Sequence, residues 1–323
     1  MLDALKFVKG TIGREDKLNP ALNHFRLSGG RITGQNAVYN LSAPINTDIE
    51  ATPRGPDFSK AIEKAGDKVV SLAMLENGKL LVKASKMRVN VDCTTEPFHT
   101  IQPEGASFWL APNFIETVKR LLPFVSKDNR KAWASGMLLD GQTLSATDNV
   151  SLVQARLGEE FAPPIPVVIP EPTLKELVRI KEAPRYAAVS QRSITFYYGE
   201  GERWLSSVVL PNDWPDLTKF FMQRQEAPQI GEDFWQAVED MSVFTGDDDD
   251  LFLSAACIST SREADAGAHV DGQYPVPMPM RVSCKHLLLL KTFANTIAFG
   301  QYPAPMQFYG ENIRGVFVGR VMQ

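Results

Sequence analysis

The feature that most constrains the fold is a helix start that recurs at a nearly constant interval along the chain. The candidate N-caps are Asp3, Asp57, Asn113, Thr173, Asp233 and Ser283. By subtraction, the steps between them are 54, 56, 60, 60 and 50 residues. Side chains of these types accept hydrogen bonds from the free N–H groups of a first helical turn. A fixed period indicates that one supersecondary unit is used six times.

A second repeat supports this period. Leu27–Val38 and Leu139–Val150 both run through a Leu, a glycine turn, an apolar residue and a polar pair. Their offset is 112 residues (139 − 27), which is two helix periods. The larger unit is therefore a pair of helix-plus-strand modules, and the chain holds about three such pairs.

The segments between the predicted helices have the residue pattern of strands and hairpins. The predicted strands are Lys79–Lys83, Met87–Val91, Ser193–Tyr198, Trp204–Leu210, Met306–Tyr309 and Gly315–Val318. One helix followed by a strand meander, repeated six times, predicts an α+β protein with antiparallel sheets. Polar, aperiodic stretches predict domains at 1–104, 105–225 and 226–323, and the Pro-rich Phe161–Pro170 predicts an extended link. Closing such an array into a ring would remove its exposed sheet edges.

Composition describes an ordinary globular chain, with 44% hydrophobic and 22% charged residues and no apolar run of membrane-spanning length. Three widely spaced cysteines favour a reduced, intracellular protein without disulfides. The net charge of −4 alone argues mildly against nucleic-acid binding. Basic residues nevertheless recur on five of the six predicted helices, whereas acids gather elsewhere, notably at Asp247–Asp250.

No motif in the sequence predicts catalysis. Gly29–Gly34 has Walker-like glycine spacing but lacks the lysine and hydroxyl that hold phosphate and magnesium, so it indicates a hairpin turn. The four histidines are scattered, without metal-ligand spacing. Cys284 and His286 are two residues apart and do not share a helix face, which favours a buried cysteine. Asp247–Asp250 lacks the spaced ligands of a calcium loop and indicates a solvated turn.

Several ordered segments resemble the bacterial-type beta sliding clamp, the processivity factor of the replicative DNA polymerase. Asn113–Val125 is similar to the first helix of the family's second domain, and Ser135–Leu138 and Ala146–Leu152 to the strand and loop that follow. Leu210–Leu217 resembles the segment that closes that domain. The resemblance covers all three predicted domains. It implies three similar DNA-clamp domains, each with two helices and antiparallel sheets, and two chains closed head to tail into a ring.

A clamp that encircles duplex DNA and slides needs weak, sequence-independent contacts with phosphates, which lysine and arginine provide. The resemblance places the helices around the hole. The basic residues predicted to face DNA are Lys9, Arg14, Lys60, Lys64, Lys119, Arg120, Lys175 and Arg179. For any single residue a solvated polar face is an equally good interpretation, and recurrence on five helices favours the pore. Acidic outer surfaces would keep DNA in the hole.

The resemblance also implies an apolar cleft between the second and third domains that binds a short peptide of a polymerase or loader subunit. The matching positions are Ala134, Thr147, Asn149, Val150, Ser151, Leu152, Pro215, Lys219, Phe220, Pro303, Pro305, Phe317, Gly319, Val321 and Met322. Core packing is a competing interpretation for Leu152, Phe220 and Phe317. Val150 and Ser151 stand where the family usually has histidine and arginine, which leaves the preferred peptide open.

For ring closure, the resemblance matches Val89 and Val91 on an edge strand, and Val243 and Phe244 at the end of the fifth helix, to the subunit interface. The expected partners are duplex DNA without sequence preference, a DNA polymerase, an ATP-driven clamp loader and a second copy, with no membrane, cofactor or metal. The expected place is the cytoplasm, on DNA. Two alternatives stay open: a clamp-shaped scaffold that binds replication or repair partners without loading onto DNA, and an enzyme with an unrecognised site.

Overall fold

Seven α-helices and 21 β-strands form the described part of this computed structural model, residues 1–13, 19–128, 130–263 and 266–322. The helices are α1 Leu2–Val8, α2 Gly55–Ala65, α3 Phe114–Leu121, α4 Glu171–Ile180, α5 Thr218–Phe221, α6 Glu232–Ser242 and α7 Cys284–Leu290. The strands are β1 Phe25–Ser28, β2 Arg31–Gln35, β3 Tyr39–Pro44, β4 Val70–Met74, β5 Leu80–Ala84, β6 Met87–Val91, β7 Ala106–Trp109, β8 Gly136–Asp140, β9 Thr143–Thr147, β10 Ser151–Arg156, β11 Val167–Pro170, β12 Tyr186–Val189, β13 Ser193–Tyr198, β14 Arg203–Val208, β15 Asp250–Leu253, β16 Cys257–Ser259, β17 His269–Asp271, β18 Met280–Ser283, β19 Thr296–Ile297, β20 Met306–Gly310 and β21 Ile313–Phe317.

The predicted helix-plus-meander module is confirmed, because six helices are each followed by three strands that neighbour one another in chain order. Modules 1 to 6 are α1 with β1–β3, α2 with β4–β6, α3 with β8–β10, α4 with β12–β14, α6 with β15–β17, and α7 with β19–β21. The single turn α5 lies outside this pattern. Predicted strands Met87–Val91 and Ser193–Tyr198 coincide with β6 and β13, and the other four differ by one or two residues at one or both ends. Of the Pro-rich segment, only Val167–Pro170 is a strand.

The predicted helix caps are mostly wrong in position. Ser283 caps α7 as predicted, since its side chain accepts from the N–H of His286, and Asn113 directly precedes α3. Asp3, Asp57, Thr173 and Asp233 instead lie inside the first turns of their helices, where no side-chain cap is present. Two of these helices begin at Gly55-Pro56 and Glu171-Pro172, because the fixed φ angle of proline suits the first turn of a helix. The acids there still favour the helix through its macrodipole.

Contacts divide the chain into two compact units. Unit 1 comprises Met1–Val118, Leu139–Gln142 and Gly158–Pro211, and unit 2 comprises Lys119–Leu138, Thr143–Leu157 and Asn212–Gln323. Both units contain modules from two of the predicted domains, because each large sheet joins modules that are distant in sequence. The three-domain boundaries at 104/105 and 225/226 therefore stay a prediction.

Unit 1 is built on a seven-stranded sheet in the order β1-β2-β3-β14-β13-β12-β7. Modules 1 and 4 meet where β3 pairs antiparallel with β14, with Leu41 opposite Leu205. Helix α1 packs on one face of this sheet, where Phe7 meets the fully buried Tyr198 edge-on, with ring centroids 5.2 Å apart. The same unit contains a separate three-stranded sheet in the order β4-β5-β6.

Unit 2 has a second large sheet in which the order β8-β9-β10-β21-β20-β19 joins modules 3 and 6. Here β10 pairs antiparallel with β21, with Leu152 opposite Val316. Phe308 and Phe317 extend the core beside this seam. A four-stranded sheet in the order β17-β16-β15-β18 belongs to module 5 and its neighbour strand. Over the described ranges, no helix has the length and hydropathy to cross a membrane.

Candidate peptide-binding cleft and DNA-facing residues

The turn between β9 and β10 is shaped by the side chain of Asp148. Its Oδ1 accepts the N–H groups of Val150 at 3.0 Å and Ser151 at 2.7 Å. This is the Asx-turn geometry by which a short polar side chain replaces a backbone hydrogen bond. Asn149 at the tip adopts a positive φ of 72°, a conformation that asparagine tolerates better than most residues. The turn thus places four predicted cleft residues side by side.

An apolar cavity of about 200 Å³ opens beside this turn in unit 2. Of the predicted cleft residues, it is lined by Thr147, Asn149, Val150, Ser151, Leu152, Pro215, Phe220 and Pro305. Leu152 is almost fully buried, whereas Phe220 is 38% exposed. The hydrogen bond from the N–H of Val318 to Val150 O, 3.0 Å long, attaches the C-terminal segment to the rim. An apolar recess with a few polar groups has the make-up of a site for a linear peptide.

The remaining predicted cleft residues lie elsewhere in unit 2. Ala134 and Phe317 are buried core residues, at 0% and 2% exposure, which agrees with the competing core interpretation for Phe317. Lys219 lines an adjoining groove of about 520 Å³, which shares Phe220 and Pro305 with the cleft. Pro303, Gly319, Val321 and Met322 are not among the residues that line either cavity.

Two tryptophans complete the cleft and were missed at the sequence level. Trp133 and Trp214 meet edge-to-face with ring centroids 5.3 Å apart, and the indole N–H of Trp214 donates to the Trp133 carbonyl at 3.0 Å. Both line the cavity, together with Leu217, Val316 and Val318. The only sequence signal was the rarity of tryptophan, with five in the chain, and the Trp214-Pro215 step in a loop. Rigid aromatic side chains of this kind dominate binding energy at interfaces.

The adjoining groove is held open by polar contacts around Gln307. Its Nε2 donates to the carbonyls of Phe220 and Gln223 at 2.7 and 2.9 Å. The Arg314 guanidinium stacks 4.2 Å from the Phe221 ring, and its Nε donates to Gln154 Oε1 at 2.9 Å. These contacts fix the chain segment that carries Phe220, so the wall between the two cavities is pre-formed.

The basic residues predicted to face DNA differ in how they are held. Lys60 and Lys64 are exposed on α2, and Lys119 is exposed on α3. Ion pairs engage Lys9 with Glu63 and Lys175 with Glu171, at 3.1 and 2.8 Å. Arg120 lies 5.6 Å from the Phe293 ring centroid. Arg14 falls outside the described residues.

Arg179 makes hydrogen bonds that stabilise unit 1. Its guanidinium bonds the carboxylate of the buried Glu176 at 2.6 to 2.9 Å and donates to the Phe7 carbonyl at 2.7 Å. It therefore neutralises a buried charge and satisfies a carbonyl at the end of α1, where helix carbonyls lack intrahelical partners.

The four predicted interface residues divide by exposure. Val243 and Phe244 at the end of α6 are 76% and 60% exposed, which is unusual for apolar side chains of this size. Val89 on β6 is half-buried, and Val91 on the same strand is buried at 1% exposure. Val89 and Val91 are two residues apart, so both side chains lie on the face of β6 that packs into its own module, whereas Arg88 and Asn90 on the other face are exposed.

The acidic segment Asp247–Asp250 is more than the predicted solvated turn. The Asp249 carboxylate accepts from the Ser283 hydroxyl and, at 3.1 Å, from the N–H of Lys285. Asp250 accepts from Arg281 and Arg320. Burial acts to raise the pKa of Asp250, but the hydrogen bonds from Arg281 and Arg320 outweigh it, so the pKa lies below its usual value.

The histidines are scattered in sequence, but the fold brings His286 against Asp148 with Nε2 and Oδ2 2.8 Å apart. Desolvation by burial acts to raise the pKa of Asp148, yet the hydrogen bonds from His286 and from the N–H groups of Ser151 and Val150 prevail and lower it.

Cys284 is buried as predicted, and burial raises the pKa of its thiol to about 11. Gly29 and Gly30 form the predicted hairpin turn, both with positive φ. Within the described ranges, no group of three or more His, Cys, Asp or Glu side chains could hold a metal ion.

Over its full length the chain has the fold of bacterial DNA polymerase sliding clamps, which confirms the predicted fold class. It is similar to the DNA polymerase sliding clamp of Caulobacter crescentus, with a TM-score of 0.82 and 19% identity over 99% of this chain and 97% of that one. For the Bacillus subtilis clamp the TM-score is 0.80, with 17% identity over 100% of this chain and 97% of that one. The Pseudomonas aeruginosa DnaN clamp, solved bound to griselimycin, gives 0.79 and 19% over the same shares, 100% and 97%. The sequence matches no protein-family model and no curated protein. At these identities the similarity establishes the fold.

Proposed function

We propose that this chain is a DNA sliding clamp, a non-enzymatic processivity factor. Two copies close head to tail around duplex DNA, which they bind without sequence preference, and each copy holds partner proteins by a short peptide in the cleft. The proposed partners are a DNA polymerase and an ATP-driven clamp loader, and the place of action is DNA in the cytoplasm. The full-length clamp fold, the pre-formed cleft and the pattern of sheet completion support this function.

The observation that carries the proposal is that each large sheet is completed by strand pairing between two modules, which is called sheet completion below. In each unit the last strand of one module pairs antiparallel with the last strand of another, β3 with β14 and β10 with β21. Modules 2 and 5 lack such a pairing in the described part of the chain, and their sheets have three and four strands. Pairing β6 of one copy with β17 of another gives the order β4-β5-β6-β17-β16-β15-β18. That sheet has seven strands, arranged like the large sheet of unit 1.

Exposed apolar side chains occur in the same two modules. Val69 and Met74 of module 2 are 89% and 43% exposed, and Val243 and Phe244 follow α6 of module 5. Burying such residues against a second copy stabilises the dimer by about 25 cal/mol for each Å² of apolar area removed from water. Val91, whose side chain faces its own module, contributes to this interface through the backbone of β6. Joining module 2 to module 5 is a heterologous contact that closes after two copies.

Sedimentation equilibrium of the purified chain tests the ring. We expect a species of two 35.8-kDa chains at micromolar concentration. Val243→Asp should weaken this dimer at least tenfold, because a charge enters each of the two interfaces. Val321→Asp is the matched control, since Val321 is 75% exposed but lies outside modules 2 and 5. A monomeric wild type, or equal effects of the two variants, would overturn the proposed ring.

DNA contact is tested by the salt dependence of duplex binding. Lys60→Glu combined with Lys64→Glu should weaken binding to any duplex sequence and lower the salt slope by up to roughly 4, because the two copies of the ring lose four lysines and each lost phosphate contact contributes about 0.9. Lys83→Glu with Lys86→Glu, on exposed positions of β5 and the turn after it, is the charge-matched control. An equal loss in the control pair would show that net charge rather than a pore governs binding.

Topology separates the clamp from its alternatives. After loading by the clamp loader of the same genome with ATP, the chain should stay on nicked circular DNA through a high-salt wash and leave when the DNA is linearised. Failure to load with dimers intact would favour a scaffold. Hydrolysis of nucleotide or nucleic acid by the purified chain alone would favour an enzyme.

The cleft is tested with a peptide library displayed on phage, selected on wild type and counter-selected on Phe220→Asp. Peptides with apolar anchors should be enriched, and their binding should change the fluorescence of Trp133 and Trp214, which line the cavity. Met278→Asp, at a 40%-exposed position away from the cavity, should bind the same peptides normally. No enrichment over the counter-selecting variant would refute peptide binding at this site.

A further inference from the structure

Four side chains in unit 2 form a continuous hydrogen-bonded chain from Asp249 to Asp148. The Ser283 hydroxyl contacts the Asp249 carboxylate, and its oxygen lies 2.8 Å from Nδ1 of His286. The other ring nitrogen, Nε2, lies 2.8 Å from Oδ2 of Asp148. His286 and Asp148 are only 24% and 16% exposed, so water has limited access to these contacts.

The number of protons that these hydrogen bonds need determines the protonation state of His286. A carboxylate only accepts, so the Ser283 hydroxyl must donate its single proton to Asp249. The Ser283 oxygen then accepts from Nδ1–H of His286, and Asp148 accepts from Nε2–H. Three hydrogen bonds need three protons, of which serine supplies one and histidine must supply two. The chain is complete only when His286 is an imidazolium, which gives charge-assisted bonds.

Asp148 connects this chain to the cleft. One carboxylate oxygen, Oδ2, accepts from His286, and the other, Oδ1, holds the N–H groups of Val150 and Ser151. Rotation of the carboxylate would therefore disturb both sets of bonds at once. Thr147, Asn149, Val150 and Ser151 line the cavity, whereas His286 does not. The imidazole acts on the cleft wall only through Asp148.

We propose that His286 is a positioning residue for the cleft, an imidazolium that locks the Asp148 turn against the start of α7 and so fixes the wall on which a peptide binds. The link to peptide affinity rests on the proposed function, whereas the protonation and the locking of the turn do not. The β18–α7 junction thus contributes to peptide recognition through His286, although His286 itself does not line the cleft.

The charges around His286 come from three elements. Asp148 faces it from the β9–β10 turn, and Asp249, before β15, faces it through Ser283. Lys285 on α7 directs its backbone N–H toward Asp249, and Asp250 is paired with Arg281 and Arg320. One carboxylate, that of Asp148, thus contacts the imidazole directly, and a second, that of Asp249, reaches it through the Ser283 hydroxyl.

Nitrogen-15 NMR of histidine-labelled protein tests the protonation without any ligand. At pH 7 we expect His286 to show two protonated ring nitrogens, and His286→Gln identifies its signals. Hydrogen exchange then reports the turn: the amides of Val150 and Ser151 should exchange at least tenfold faster in His286→Leu, because a charged hydrogen bond to Asp148 is lost. His99→Leu, at an exposed histidine, should leave both amides unchanged.

Peptide affinity completes the test. The probe is a phage-selected peptide that binds wild type but not Phe220→Asp. His286→Leu should weaken its binding about tenfold, and His286→Gln, which keeps one donor for Asp148, should restore part of the loss. A single protonated nitrogen at pH 7, or unchanged amide exchange in His286→Leu, would overturn the proposal even if the peptide binds. Normal NMR and exchange results without any peptide binding would instead refute the proposed cleft function.

Discussion

Replacing Arg179 by methionine should destabilise unit 1 rather than act first on DNA. The Glu176 carboxylate beneath it is only 4% exposed, and its ion-pair partner is the Arg179 guanidinium, whose side chain is 36% exposed. Methionine retains most of the aliphatic packing but leaves the buried carboxylate without its cationic partner, although the Tyr39 side chain still hydrogen-bonds it. The same change removes the donor to the Phe7 carbonyl at the end of α1.

The expected loss is about 3 kcal/mol, the lower end of the roughly 3–5 kcal/mol that follows when one partner of a buried ion pair is removed. We choose the lower end because a third of the Arg179 side chain is in contact with water. Since about 1.4 kcal/mol corresponds to a factor of ten, amide exchange in α1 and α4 should accelerate about a hundredfold. Exchange measured on these helices reports unit 1 separately from unit 2.

A second substitution identifies the cause. Glu176→Gln removes the unpaired charge, so in the Arg179→Met background it should recover part of the loss, about 1–2 kcal/mol. Arg185→Met, at an exposed arginine of the same unit, is the control for removing a positive charge. The reasoning would be refuted by less than a twofold change in exchange for Arg179→Met, or by Glu176→Gln making that variant less stable still.

Three further outcomes follow from the contacts described. Gly10→Ala should lower the stability of unit 1 by at least 1 kcal/mol in urea unfolding, because its Cβ would lie 2.2 Å from Glu176 Oε1; Gly13→Ala, where nothing lies within 4 Å, is the control. Asp250 has a lowered pKa, so its contribution is fully present above about pH 5 and is lost as the pH falls through the folded value. The thermal midpoint of wild type should therefore fall toward that of Asp250→Asn between pH 5 and 3, and parallel curves would contradict this. Cys284, with its thiol pKa raised to about 11, should resist alkylation at pH 8 until unit 2 unfolds, whereas equal labelling of Cys284 and the half-buried Cys257 in mass spectrometry would not fit.

The sequence predicted what depends on local periodicity. Helix and strand patterns repeat within each module, so the six modules and strands such as Met87–Val91 could be placed from residue spacing alone. The caps at Asp57 and Thr173 were misplaced because proline near a helix start decides the first turn more strongly than a nearby capping residue does. Gly55-Pro56 and Glu171-Pro172 carried that signal in the sequence.

The cleft was predicted only in part, since its tryptophans and its supporting contacts join residues far apart in sequence. Trp133 and Trp214 are separated by 81 positions, and Asp148 and His286 by 138. Neither pair has a local pattern, and pairing them requires the fold. Arg179 shows the converse: its position on a basic helix predicted contact with DNA, but the buried Glu176 three residues earlier engages it.

The seam between β3 and β14 has a consequence for synthesis on the ribosome. Residue 44 ends one strand and residue 203 begins the other, so about 160 residues must be translated before the first edge finds its neighbour. Until then β3 offers unsatisfied backbone groups to any other nascent chain. Shortened chains that stop after residue 104 should for the same reason precipitate or exchange strands, and expression of the intact chain should benefit from chaperones that cover this edge.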